Sequence, residues 1–238
     1  NKKKLFSPLL SSQSTKPLTV SILGFRQHTF SSPATIAWHS DFFTTGSPQL
    51  WATAFFTKIT IPSNDQLTLT DQRLPDIKVP WELSRMHCLH GKPISEMLAI
   101  ISSWMGNNPF PYGVNWLNPM EVGIRAINII TALKNHATAP ELTPAIKQQL
   151  NELLSYHAYF IEHCWEVSAK PNNHYLADLV GYLYLCCFLD ITKYYQARHR
   201  AWRWVQQAFK KQLLSDGTSY EGSVAYHQLD TELFDLAL

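Results

Sequence analysis

The sequence predicts a mainly α protein, in which an irregular N-terminal segment over residues 1–80 precedes a helical domain over residues 81–238. Hydrophobic residues make up 45% of the chain and charged residues only 16%, so most of the chain must be packed. From Pro80 onward, apolar residues recur at helical spacing. Strongly apolar helices alternate with amphipathic ones over short loops, which is typical of antiparallel helix pairs arranged as a buried inner ring and a half-wet outer ring.

The N-terminal segment is rich in Ser, Thr and Pro and can include a few short strands. Two runs, LTVSILGF and LWATAFFTKITI, are β-branched or aromatic without a helical period. Helices are expected after it at residues 81–90, 92–105, 118–133, 145–165, 172–190 and 195–214. A last helix is predicted to begin within TSYEGSVAYH, because Thr218 and Glu221 have the spacing of a capping box.

Several classes of protein and of site are disfavoured by the composition. The formal net charge is +2 with no basic block beyond NKKK, so nucleic acid is not an expected partner. No apolar run reaches the length of a membrane span. No two of the four cysteines form a C-x-x-C pair, and all four are predicted to be core residues. His87 and His90 have no third zinc ligand nearby in sequence, so a zinc site is not expected there. The chain starts without Met and stops inside an amphipathic pattern, which indicates a piece of a longer protein.

A polar stripe runs along the predicted helix NPMEVGIRAINII. Its members are spaced by three, four and three residues, which places them on one face: Asn118, Glu121, Arg125 and Asn128. In one interpretation Glu121 and Arg125 form an i, i+4 pair that satisfies itself. In the other, Arg125 and Asn128 face a cleft and hold an anionic or hydroxyl-rich ligand.

The stretch PNNHYLAD places two amides and an imidazole at the start of a strongly apolar helix. One asparagine, Asn172 or Asn173, is explained as the N-cap. His174 and Asp178 are one turn apart, so the carboxylate could fix the tautomer of the imidazole. The pair then serves either proton transfer or simply the structure of the helix.

A third group of polar residues lies in DGTSYEGSVAYHQLD. Ser223, Tyr226 and Asp230 share one side of the predicted helix, with Glu221 and His227 nearby. Tyr226 and His227 are adjacent, so their side chains point about 100° apart on a helix and are not expected to share a role.

Four stretches, in this order, resemble the heparinase II/III-like polysaccharide lyases and their oligoalginate lyase relatives. They are DIKVPWELSR, NWLNPMEVGIRAIN, NNHYLADLVGYLYL and DGTSYEGSVAYH, and they cover the chain from about Asp76 to its end. The resemblance implies an incomplete α/α toroid, followed by a β-sandwich domain, with the active site in the cleft between them. It also favours a periplasmic or secreted location.

The resemblance further implies the roles of individual residues. Asn173 is similar to the amide that binds a uronate carboxylate, His174 to a proton-transfer or binding histidine, and Tyr226 to the catalytic tyrosine. The substrate-binding residues expected around them are Arg125, Glu121, Asn128, Glu221 and His227. An acidic polysaccharide is the implied partner. We expect no cofactor and no metal in this chain, because the metal site of several members belongs to the sandwich domain, which these 238 residues do not include.

Two other function classes stay open on sequence grounds. The chain could be a non-catalytic glycan-binding or polysaccharide-assembly domain. It could also be a glycoside hydrolase in which Glu221 and Asp230 act as acid and base. The choice among uronate polymers is not encoded in any of these motifs.

Overall fold

A computed structural model confirms that the protein is mainly helical. It describes residues 15–22, 26–41, 76–170 and 172–238. The second predicted strand run, LWATAFFTKITI, lies outside the described residues. Among the described residues, no helix is both long enough and apolar enough to cross a bilayer.

Packing divides the chain into two compact units. The first comprises Asn1–Cys88 and Ser95–Leu117, and the second Leu89–Ile94 and Asn118–Leu238. These packing units do not separate at residue 80. The predicted domain boundary at that residue is not tested by them and stays a prediction.

The first unit combines a small sheet with two helices and a tryptophan-rich core. Strand β1 (Leu18–Ile22) pairs antiparallel with β2 (Arg26–Phe30), so LTVSILGF does contain a strand. Its helices are α1 (Lys78–Ser84) and α2 (Ile94–Asn107). The indole nitrogen of the fully buried Trp104 donates to Ser84 Oγ at 3.2 Å, which satisfies its polar atom inside the core.

The described residues of the second unit form five α-helices, and this unit carries all the predicted site residues. They are α3 (Pro119–Lys134), α4 (Pro144–His163), α5 (Asn173–Phe188), α6 (Thr192–Gln212) and α7 (Val224–Ala237). Helix α5 contacts each of the other four. Its apolar residues from Leu179 to Cys186 are buried, except for the half-buried Tyr184, whereas Cys187 and Phe188 at its end are exposed.

Side chains cap the starts of all these helices except α6, and one predicted cap is wrong. Asn118 accepts the backbone N–H of Glu121, and Asn172 accepts that of Tyr175. The predicted capping box of Thr218 and Glu221 does not form. Helix α7 begins later, at Val224, with Ser223 as its N-cap.

Helices α3, α5 and α7 run in the same direction. Early in α3, Gly123 lies against Ala177 and Gly181 of α5, while Ile130 and Leu183 farther along line a common cavity. Helix α5 likewise follows α7, because Glu221 before α7 contacts Asn173 and the Tyr184 hydroxyl donates to Leu236 O near the end of α7. The starts of α5 and α7 therefore lie at the same end of the unit.

Two glycines set the separation of α3 and α5. A Cβ atom added to Gly181 would lie 2.5 Å from Gly123 Cα, and one added to Gly123 would lie 2.8 Å from the carbonyl oxygen of Ala177. Both obstacles are backbone atoms, which cannot rotate away. Only glycine at these positions permits such a close crossing.

The prediction that all four cysteines are core residues is wrong for two of them. Cys186 is buried and Cys88 is half-buried, but Cys164 and Cys187 are exposed. Cys164 follows the last residue of α4, and Cys187 lies near the end of α5, where the neighbouring helices no longer cover it.

Candidate functional site

Asn173, the first residue of α5, is bound by a carboxylate from the loop before α7. Its backbone N–H donates to Glu221 Oε2 at 3.0 Å, and its Nδ2 donates to Glu221 Oε1 at 3.3 Å. The side chain is only 3% exposed. Glu221 thus satisfies a helix-start N–H that would otherwise lack a partner, and it fixes the orientation of the amide.

A second buried amide, that of Gln212, also donates a hydrogen bond to Glu221. Gln212 Nε2, at the end of α6, donates to Glu221 Oε2 at 2.6 Å and to Asp230 Oδ2 at 3.0 Å. Gln212 and Asp230 are both buried. Three segments that are distant in sequence are therefore joined by one hydrogen-bond network.

His174 is paired with Glu166. The helical spacing had predicted Asp178 as its partner. Its Nδ1 lies 3.1 Å and 3.2 Å from the two carboxylate oxygens of Glu166. The hydrogen bond to Glu166 raises the pKa of His174 above its ordinary value, partial burial opposes this, and the charges of Asp178 and Glu121 add to the increase. The imidazole side chain is 43% exposed.

Asp178 lies beneath this pair and holds the backbone in place. Its Oδ2 accepts the backbone N–H of Glu166 at 2.9 Å, and its side chain is fully buried. Burial raises the pKa of Asp178 to about 8, which the hydrogen bond from Glu166 opposes. Asp178 therefore holds the backbone at Glu166, whose side chain is bonded to His174.

Tyr226 and His227 lie in the first turn of α7. Tyr226 is 48% exposed, and its backbone N–H donates to Ser223 Oγ at 3.4 Å. His227 is half-buried, and its buried Nδ1 makes no hydrogen bond with any described residue. Since α5 and α7 start at the same end, Tyr226 lies at the end of the unit that carries Asn173 and His174.

Arg125 lies in the core between α3 and α4. Its Nε donates to Nε2 of the buried His157 at 2.9 Å, while Leu153 O accepts from His157 Nδ1 at 2.8 Å. Burial lowers the pKa of Arg125 to about 9, and the charge of Glu121 opposes the decrease. Burial and the Arg125 charge lower the pKa of His157 well below its ordinary value, so this imidazole is neutral. The guanidinium of Arg125 is fully buried and bonded to an imidazole of the core, and its predicted role in binding a ligand stays a prediction.

The remaining predicted binding residue, Asn128, bonds to a histidine. Its Oδ1 lies 2.8 Å from Nε2 of His90, so His90 also has a protein partner. No cluster of three or more His, Cys, Asp or Glu side chains that could hold a metal occurs among the described residues.

A cavity of about 900 Å³ lies at the other end of the second unit, where α3, α5 and α7 end. It is lined mainly by apolar side chains, with Lys134, Lys147 and Arg198 among the polar ones. None of the predicted site residues lines it. The candidate site is therefore identified by its chemistry and not by the size of its cavity.

The structure brings together some predicted residues and adds others. Asn173 and Glu221 are in direct contact, and Glu121 is close enough to raise the pKa of His174. A common cleft that includes Tyr226 stays a prediction. Glu166 and Gln212 were not predicted, because their partners lie eight or more residues away and no local spacing indicates such contacts.

Comparison with known proteins agrees with the resemblance drawn from the motifs. No curated protein and no solved structure matches the chain. The family model described as the heparinase II/III N-terminus matches residues 91–237, which is more than half of the chain and includes every predicted site residue. The chain therefore belongs to the heparinase II/III family, of which it contains the N-terminal domain.

Proposed function

We propose that this chain is the helical part of a polysaccharide lyase that cleaves a uronic-acid-containing polysaccharide by β-elimination. The observation that carries the proposal is the half-exposed His174, held by Glu166 at the helix-start end that also carries the exposed Tyr226. An oriented imidazole and a phenol are the groups that proton transfer at a sugar requires. Membership of the heparinase II/III family supports the same reaction class.

The reaction begins at C5 of the uronate. A base removes the C5 proton, the electron pair forms a C4=C5 double bond, and the C4–O4 bond breaks. Negative charge develops beside the carboxylate, so hydrogen-bond donors at that carboxylate lower the barrier. We assign this role to the Asn173 amide, which spends one of its two Nδ2 hydrogens on Glu221 and retains the other.

Tyr226 and His174 divide the proton transfers in this proposal. Tyr226 protonates the O4 leaving group and is the preferred base where the geometry allows it. A phenol with an ordinary pKa near 10 needs a cation nearby to act as a base. We assign that cation to His174, because its pKa is raised and its ring is half-exposed, whereas Arg125 is fully buried.

We further propose that the five helices belong to an incomplete α/α toroid and that a C-terminal β-sandwich domain completes the substrate cleft. The shared direction of α3, α5 and α7 supports an inner ring, since inner helices of such a toroid run parallel. The description of the matched family as an N-terminus supports a further domain. The partner in this proposal is an acidic polysaccharide that contains uronate, and heparan-type chains, alginate and bacterial exopolysaccharides all meet that description.

A non-catalytic glycan-binding or assembly domain is the second candidate. The burial of Asn173 favours it, because an amide that is 3% exposed offers little surface to a substrate. The hydrolase alternative is disfavoured, because Asp230 is fully buried and shares Gln212 with Glu221.

The test is formation of unsaturated product, followed by ultraviolet absorbance, from heparan sulfate and alginate in a protein that carries this chain with its following domain. Replacing Tyr226 by Phe removes only the hydroxyl, so we expect a loss of roughly 10²- to 10⁴-fold in turnover with unchanged thermal melting. Tyr159→Phe, at another exposed tyrosine, is the matched control. Near-normal turnover of Tyr226→Phe removes the tyrosine from the mechanism. Glycan binding without product favours the binding domain, and reducing ends without absorbance favour a hydrolase.

A further inference from the structure

Gln212 occupies an unusual position, because its amide nitrogen donates to two carboxylates, that of the buried Asp230 and that of the half-buried Glu221. Glu221 Oε2 and Asp230 Oδ2 lie 2.6 Å and 3.0 Å from Nε2, which has two hydrogens to donate. The carbonyl oxygen of the amide is buried and makes no hydrogen bond with the described residues. The opposite orientation of the amide would place that oxygen against two carboxylates, so the orientation is fixed by electrostatics.

We propose that Gln212 is a positioning residue for Asn173 and acts through Glu221. The carboxylates of Glu221 and Asp230 are neighbours around one nitrogen, and like charges at such a separation repel each other. The Gln212 amide compensates both charges and holds Glu221 with each oxygen directed at Asn173. Without it, Glu221 moves away from Asp230 and releases the Asn173 amide.

This inference rests on the proposed function, in which the Asn173 amide binds the uronate carboxylate. It adds a residue at the end of α6 that touches neither the substrate nor the reacting atoms. Its effect is on the orientation of the amide, and small errors in such orientation can cost about 10²-fold in rate. The expected signature is a lower kcat with folding preserved.

The first test compares Gln212→Met with Gln207→Met, an exposed glutamine on the same helix. Methionine keeps the length of the side chain and removes both hydrogen bonds. With ¹⁵N-labelled asparagine side chains, we expect the Nδ2 signals of Asn173 to shift and broaden in Gln212→Met only. In the domain-complete protein, turnover on heparan sulfate or alginate should fall by about 10²-fold with a smaller change in KM. Unchanged Asn173 signals in folded Gln212→Met overturn the proposal.

The second test, Gln212→Glu, stays informative if the methionine variant does not fold. At pH 8 the new carboxylate repels Glu221 and Asp230, and at pH 5 a protonated carboxyl can donate one hydrogen bond in place of the amide. The Asn173 signals should therefore return toward those of the wild type as the pH falls. Signals that are wild-type-like at every pH, or displaced at every pH, overturn the proposal. The spectra need no substrate, so absence of activity on every polymer refutes the proposed function and leaves this result to be judged separately.

Discussion

Replacing Gly181 by alanine should push helices α3 and α5 apart. The new Cβ would lie 2.5 Å from Gly123 Cα and 3.0 Å from the Gly123 carbonyl carbon and oxygen. Carbon atoms normally touch at about 3.5–4.0 Å, so the helices must separate by roughly 1 Å. Overpacking of this kind costs about 1–3 kcal/mol or more, and rigid backbone on the opposite side places the cost at the upper end.

The helix propensity of alanine offsets part of that cost, by about 1 kcal/mol. We therefore expect a net destabilisation of about 2 kcal/mol, equivalent to a fall in Tm of roughly 4–8 °C for a chain of this size. Urea unfolding followed by circular dichroism, together with thermal melting, measures both quantities. Gly106→Ala in α2 is the control, because a Cβ there meets nothing within 4 Å and should be neutral or slightly stabilising. Equal stability of the two variants would refute the reasoning about the crossing.

Two further predictions concern the charges beside α5. In the folded chain the pKa of Asp178 is raised to about 8, above that of the unfolded chain. Its contribution to the free energy of unfolding is therefore complete below about pH 4 and is lost as the pH rises to 8. The loss amounts to up to about 1.4 kcal/mol per pH unit. Asp178→Asn should flatten this slope in urea titrations between pH 5 and 8, and an unchanged slope contradicts the assignment. Glu166→Gln should lower the pKa of His174, because the hydrogen bond to Glu166 is the largest cause of its increase. Imidazole resonances followed against pH measure this, and an unaltered titration of His174 would mean that Glu166 does not control it.

Local sequence patterns predicted most of the helices. The apolar run after Asp178 predicted a helix with neighbours on all sides, and α5 contacts the four other helices of its unit, although Cys187 and Phe188 at its end are exposed. Asn172 was recognisable as one of two candidate helix-start residues, because N-capping depends on groups two or three residues away. Helical periodicity and N-capping involve residues that are close in sequence, so both could be predicted before the packing of the helices was known.

Contacts over longer separations were not predictable in the same way. The spacing of Thr218 and Glu221 suggested a capping box, but Glu221 is bound to Asn173 and Gln212. His174 and Asp178 had helical spacing, yet Asp178 accepts the backbone of Glu166 and leaves the Glu166 side chain for the imidazole. In both cases a partner from another segment prevailed over the local one. Such partners become visible only when the packing of the helices is known.

The separation of Asn173 from Glu221 also sets an order of events during synthesis. The two residues are 48 positions apart, and Gln212 lies between them in sequence. At about 5–20 residues per second, a ribosome needs roughly 2–10 s to extend the chain from one to the other. During that interval Asn173 lacks the Glu221 carboxylate, and the apolar surface of α5 has no α7 to cover it. The amide is thus oriented after its helix has emerged, which makes assembly of the candidate site one of the last steps in the folding of this unit.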